Sequence, residues 1–198
     1  MVRDIEATKR RIYEAALAEF AEFGMHGTTI DRIAGRAAVN RERVYAYFGD
    51  KSHLFTVVIR TELEKIAEAV PLIITGPTDI GDFAGRTFDY QQEHPDLARL
   101  VLWEGLADTG SVPEEPGRTE LYAGKAATIE AAQRAGVIDD SIDPGTLVFL
   151  VIALASYWAA APQIARMLTT GSSAQANRRA AVVNAAQRMV ARSSDERM

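Results

Sequence analysis

Between Thr28 and Lys51 the chain reads TTIDRIAGRAAVNRERVYAYFGDK, a stretch dense in side chains that bind polyanions. Arg41 and Arg43 carry guanidiniums able to grip guanine through paired hydrogen bonds, and Glu42 between them can accept from cytosine. Tyr45 and Tyr47 offer hydroxyls, and Lys51 a charge, to phosphate oxygens. Backbone N–H groups near Thr28 and Thr29, at the opening of a helix, would add an anion site. The chemistry of turnover is missing by comparison. His26, His53 and His94 lack metal-ligand spacing, and there is no nucleophile elbow, phosphate loop or dinucleotide fingerprint, so neither an enzyme nor a cofactor is expected. Without cysteine there can be no disulfide framework and no thiolate zinc site.

Such side chains act only if a scaffold presents them, and the spacing of apolar residues predicts one built of helices. Ile12, Ala16, Phe20 and Phe23 share a face of a helix over about 4–23, with Lys9, Arg10, Glu14 and Glu19 elsewhere and Gly24 as its stop. Thr28 and Asp31 have capping-box spacing ahead of a short helix burying Ile30, Ile33 and Ala34. After a turn at Ala37–Val39, Asn40 caps a helix from Arg41 to about Phe48, in which Val44 and Phe48 face inward. Asn40 therefore belongs with the DNA-facing set. Further helices are predicted from Lys51 toward Ile73 and over about 79–93, 96–108, 118–135, 144–169 and 173–191, nine in all, with no strand.

The whole chain, 198 residues with 47% hydrophobic content, can build a sizeable core. Its net charge of −5 hides an asymmetry: residues 1–50 hold eight basic and eight acidic side chains, and the remainder 14 basic against 19 acidic. A neutral head on an acidic body is compatible with nucleic-acid binding by the head. The opening MVRDIEATKRRIYEAAL mixes both charge signs and does not read as a signal peptide. Leu147–Ala161 is nearly all apolar but shorter than a spanning helix, so a buried helix, no membrane association and a cytoplasmic location are expected.

Residues 8–55, TKRRIYEAALAEFAEFGMHGTTIDRIAGRAAVNRERVYAYFGDKSHLF, resemble the N-terminal DNA-binding domain of the TetR family of bacterial transcriptional regulators. The likeness rests on the first helix, the TTI opening, the IA pair, the V-Y-x-Y-F run and the following lysine, about a quarter of the chain. It implies an all-α fold: a three-helix helix-turn-helix domain, residues 1–50, ahead of a helical effector-binding and dimerisation domain, residues 51–198. It puts Arg41, Glu42 and Arg43 at base-facing positions, with Tyr45, Tyr47, Lys51 and Thr29 toward the backbone. Two departures stand out: Ala38 where the family usually has Gly in the turn, and an acid at Glu42 where many members have a small residue.

A recognition helix of eight residues, roughly 12 Å long, touches few base pairs, so a homodimer on a near-palindromic double-stranded operator is expected. The apolar helix around Leu154 and the stripe Val182, Val183, Ala186, Met189 and Val190 are the candidate interface, matching the four-helix interface that the resemblance implies. The resemblance further implies a body pocket for a small, often apolar effector; Phe83, Phe88, Trp103, Phe149, Tyr157 and Trp158, with Gln91, Glu104 and Tyr122 as polar anchors, are its candidates. The function so expected is a ligand-responsive repressor released from its operator by that effector. The alternative is a helical small-molecule or partner-binding protein that does not hold an operator.

Overall fold

The computed structural model describes residues 2–107, 112–168 and 174–192, the first three by backbone alone. Ten helices and no strand occur among them: α1 (Val2–Gly27), α2 (Ile30–Arg36), α3 (Arg41–Phe48), α4 (Lys51–Ala69), α5 (Asp79–Glu93), α6 (Pro95–Leu106), α7 (Glu115–Arg134), α8 (Pro144–Ala160), α9 (Pro162–Leu168) and α10 (Ala174–Met189). The added helix has a local cause. Pro162 cannot donate to the helix ladder and pushes Ala161 out of helical geometry (φ −124°, ψ 60°), so the single helix expected over 144–169 breaks. α8 and α9 meet at 85°. Pro71 likewise ends α4 at Ala69, short of the expected Ile73. No single described helix is long and apolar enough to cross a membrane. The expected helix limits at 108, 169 and 173 lie outside the described residues.

The chain forms two compact units. Unit one holds residues 1–65 and 96–114, so α1, α2 and α3 share it with most of α4 and with α6. Its core joins Ile12, Ala16 and Phe20 of α1 to Ile33 and Ala34 of α2, Val44 of α3, Leu54, Phe55 and Val58 of α4, and Leu100 of α6. Phe20 and Phe55 meet edge to face at 5.2 Å. α1 is broken at Gly24, whose φ of 69° suits glycine. A side chain there would also meet the Trp103 ring, since a Cβ would lie 2.8 Å from it. Arg99 Nε and Trp103 Nε1 both donate to the Ala21 carbonyl beside this break, at 2.7 and 3.3 Å.

Unit two, residues 66–95 and 115–198, packs α5, α7, α8 and α10 around Ile80, Phe83, Phe88, Ile129, Leu147, Val151 and Val182. α10 lies close along α5 because Gly81 and Gly85 present no side chain: added Cβ atoms would stand 2.5 Å from Gln187 and 2.9 Å from Val183. Arg179 and Asp89 close the same seam with bonds of 2.9 and 2.7 Å. Asp143 caps α8 with Pro144 in its first turn.

Candidate nucleic-acid interface

α3 is anchored on one side and bare on the other. Val44 is fully buried against α1, α2 and α4, and Phe48 is half-buried in the same cluster. Arg41, Glu42, Arg43 and Ala46 are exposed, and Tyr45 keeps 51% of its surface open. Ala46 was not among the sequence candidates; its small side chain lets a ligand approach the helix between the longer ones. Arg41 is lightly held, Nε 3.4 Å from Glu42 and Nη1 3.9 Å from Asp31, contacts that a phosphate or base edge can replace. Arg43 has no carboxylate partner among the described residues. Tyr47 lies half in the core, which leaves less of its ring available than Tyr45 has. Asn40 caps α3, its Oδ1 accepting from Arg43 N at 3.1 Å.

The turn holding α3 to α2 is a left-handed helix stop made without glycine. Val39 N donates to Ala34 O at 3.0 Å and Ala38 N to Gly35 O at 3.2 Å, the pair of bonds that closes a Schellman motif. Its left-handed residue is Ala38, φ 52°, a conformation that strains an alanine and suits the glycine usual in the family.

Thr28, whose backbone was read together with that of Thr29 as an anion site, turns its side chain inward. It is buried, and its hydroxyl donates to Glu19 Oε2 at 2.8 Å. The cap of α2 is Thr29, which is exposed and accepts from Arg32 N at 3.3 Å, so the Thr28–Asp31 capping box is replaced by a cap one residue later. Lys51 Nζ donates to Thr28 O at 2.9 Å, tying the start of α4 to the segment that opens α2.

Glu19 was expected off the apolar face, yet it is 5% exposed. Besides Thr28, it accepts from Arg32 Nε at 2.8 Å and Arg36 Nη1 at 3.2 Å, and the Arg32 guanidinium stacks 4.0 Å over Phe23. Burial opposes the carboxylate charge, but the bonds from Arg32, Thr28 and Arg36 outweigh it and hold the Glu19 carboxyl below its ordinary value. This clasp joins α1 to α2 from beneath. The available signal was position: residue 19 falls at helical spacing with Ile12, Ala16 and Phe23, where an acid demands a partner.

The body candidates are shared between the two units. Phe83, Phe88 and Gln91 are buried on one face of α5, and Trp158 meets Phe88 edge to face at 6.5 Å, all in unit two. Trp103 and Glu104 belong to unit one, Trp103 covering Gly24. Tyr122 is exposed, as are Phe149 (70%) and Tyr157 (59%) on α8. Of the proposed interface stripe, Val182, Ala186 and Val190 point into unit two's own core, while Val183, Met189 and Leu154 are half-buried. Among the described residues no cluster of three His, Asp or Glu side chains could hold a metal ion.

A short helix bare on its outer side, an arginine-led first turn and a capped helix clamped behind it define a helix-turn-helix reader of duplex DNA. Residues 12–58 match the bacterial regulatory proteins of the tetR family, and residues 79–188 match the tetracyclin repressor-like C-terminal domain. The chain is 42% identical over 192 residues to the HTH-type transcriptional repressor SCO4008 of Streptomyces coelicolor, covering 96% of this chain and 98% of that relative. It is 29% identical over 168 residues to the HTH-type transcriptional regulator RutR of Escherichia coli K12, covering 82% and 79%. A solved structure from Streptomyces coelicolor, described as a transcriptional regulator, SCO4942, superposes with a TM-score of 0.79 at 36% identity, covering 94% of this chain and 99% of that one.

The chain belongs to the TetR family and is a DNA-binding transcriptional regulator, not an enzyme. Regulators of this family bind operator DNA and small-molecule effectors and typically dimerise.

Proposed function

We propose that two copies of this chain repress transcription from a near-palindromic operator and leave it when a small, mostly apolar effector binds unit two. The observation carrying the reading is the exposure of Arg41, Arg43 and Tyr45 on a helix whose opposite side, Val44, is fully buried. Arg41, Glu42 and Arg43 read base edges; Tyr45, Tyr47, Thr29, Asn40 and the α3 backbone set register on phosphates. Repression is supported by the 42% identical relative, a transcriptional repressor. Such a regulator works on the chromosome, in the cytoplasm.

The partner copy covers the bare apolar side of α8, where Phe149, Leu150 and Tyr157 are exposed, with Leu154, Val183 and Met189 beside it. α4 contains residues of both units, and we take it as the element whose position the effector biases. An effector that binds the two positions equally would move nothing.

The test is fluorescence anisotropy with duplex DNA from upstream of the protein's own gene. The parent should bind with steep salt dependence, and Arg43→Ala should lose about tenfold or more while Tyr45→Phe loses less. Equal binding by parent and both variants would refute the site and favour a helical ligand-binding protein without an operator. Phe149→Asp should reduce the mass in sedimentation to that of one chain; an unchanged mass would move the interface elsewhere.

A further inference from the structure

Unit two contains polar side chains that the protein itself leaves unmet. Gln91 on α5 is 6% exposed, and its Oε1 accepts no hydrogen bond. Ser156 Oγ on α8 and Gln92 Nε2 on α5 are also buried without partners. Lys125 of α7 is half-buried, with its Nζ 5.5 Å from the centre of the Phe83 ring and no carboxylate partner among the described residues. Desolvation pushes this ammonium below the usual lysine range. Asp89 of α5 is engaged elsewhere, holding Arg179 through both oxygens.

α8 packs against both α5 and α7, and these three helices carry one cation beside Phe83, two side-chain amides and one hydroxyl, with Phe88 meeting Trp158 edge to face. Buried polar groups in a folded protein are normally satisfied, so an unmet set from neighbouring helices points to a missing partner. A cationic ligand would face the Lys125 charge, and a purely apolar one would leave every orphan as it is. We propose that this set recognises an organic anion: a small carboxylate whose charged end takes the Lys125 ammonium, whose apolar body lies along Phe83, Phe88 and Trp158, and whose far end bonds Gln91. Phe83 and Gln91 lie eight residues apart on α5, about 12 Å, which sets the length of a ligand that uses both ends. The assignment rests on unit two being the effector-binding part and specifies its ligand class.

The experiment uses full-length protein and two matched probe series, straight-chain carboxylates from hexanoate to decanoate plus 2-naphthoate, each against its primary amide, with the ω-hydroxy form of each straight-chain acid alongside. Melting temperature and release of operator DNA are both read. The acids should bind the parent at least tenfold more tightly than the amides, and Lys125→Met, which keeps the apolar stem, should erase that preference. Gln91→Leu should weaken an ω-hydroxy acid several-fold and leave the plain acid unchanged. Without ligand, Lys125→Met and Gln91→Leu should each melt higher than the parent, because the first removes a partly desolvated charge and the second an unmet polar atom. Equal binding of acid and amide, an acid preference kept by Lys125→Met, or ligand-free variants that melt lower would overturn the proposal. Operator release by amides alone would sink the anion assignment and leave the effector reading intact; silence from both series would sink both.

Discussion

Glu19 and Glu62 in unit one, and Gln91 and the half-buried Lys125 in unit two, are polar groups drawn away from water, and they meet opposite fates. Glu19 accepts from Thr28, Arg32 and Arg36, and Glu62 from Tyr13 at 2.5 Å and Lys65 at 2.6 Å. Gln91 Oε1 has no partner, and Lys125 faces an aromatic ring instead of a carboxylate. A closed polar network holds one geometry, as a helix that must fit a groove of fixed width requires. An open network is a place where something else can bind. On the proposed reading, the closed networks hold the head in one geometry and the open one leaves the body ready for a ligand.

Breaking the head should have the largest effect. Glu19→Ala strands two guanidiniums that are themselves about half exposed, so a loss of about 2–3 kcal/mol is expected, at the low end for a broken buried pair. It would be read as a lower urea midpoint. Acid sharpens the point. A carboxyl held below its ordinary value stabilises the fold fully above the unfolded pKa, and that contribution fades as pH falls through the folded value. The parent should therefore lose stability below about pH 4 that Glu19→Gln does not lose. Asp79, Asp139 and Asp143 are also held low by the hydrogen bonds of their turns, but equally in both proteins, so the difference isolates Glu19.

Next in size, Arg43→Ala should weaken operator binding by about 1–3 kcal/mol with the melting curve unchanged, since its side chain supports nothing in the core. A fall in stability to match would mean that Arg43 belongs to the scaffold. In the body the sign should reverse: Lys125→Met should stabilise the ligand-free protein by roughly 1 kcal/mol, where truncating a partnered head residue destabilises. The smallest expected effect is in the turn. Ala38→Gly relieves a left-handed alanine, and the gain, about 0.5–1 kcal/mol by denaturant titration, is what remains after glycine's larger unfolded-state entropy.

The helices of unit one were legible because capping residues, glycine stops and 3.6-residue spacing are local signals, and α3 lies where its pattern put it. The misreadings have physical causes of their own. Glu19 was assigned by its charge to the outer face, although its spacing is that of the core, and only its three partners reveal why burial is tolerated. Thr28 and Thr29 could each cap α2, and the buried carboxylate behind Thr28 decided between them. On α10 the apolar stripe was legible, but the glycines at 81 and 85 that let α5 cover Val182 and Ala186 lie a hundred residues away in the chain. The pocket candidates belong to both units, since spacing along a helix says that a face is apolar and nothing of what will cover it.

Order along the chain was sufficient for the positions of most helices, for the residues bared on α3 and for the family, since each depends on neighbours within a few turns. Which buried polar groups find partners, and which stay open on the inner faces of α5, α7 and α8, depended on helices distant in sequence meeting in space. Hydrogen bonds act over about 3 Å, and no pattern along a chain records which groups folding will bring within that distance.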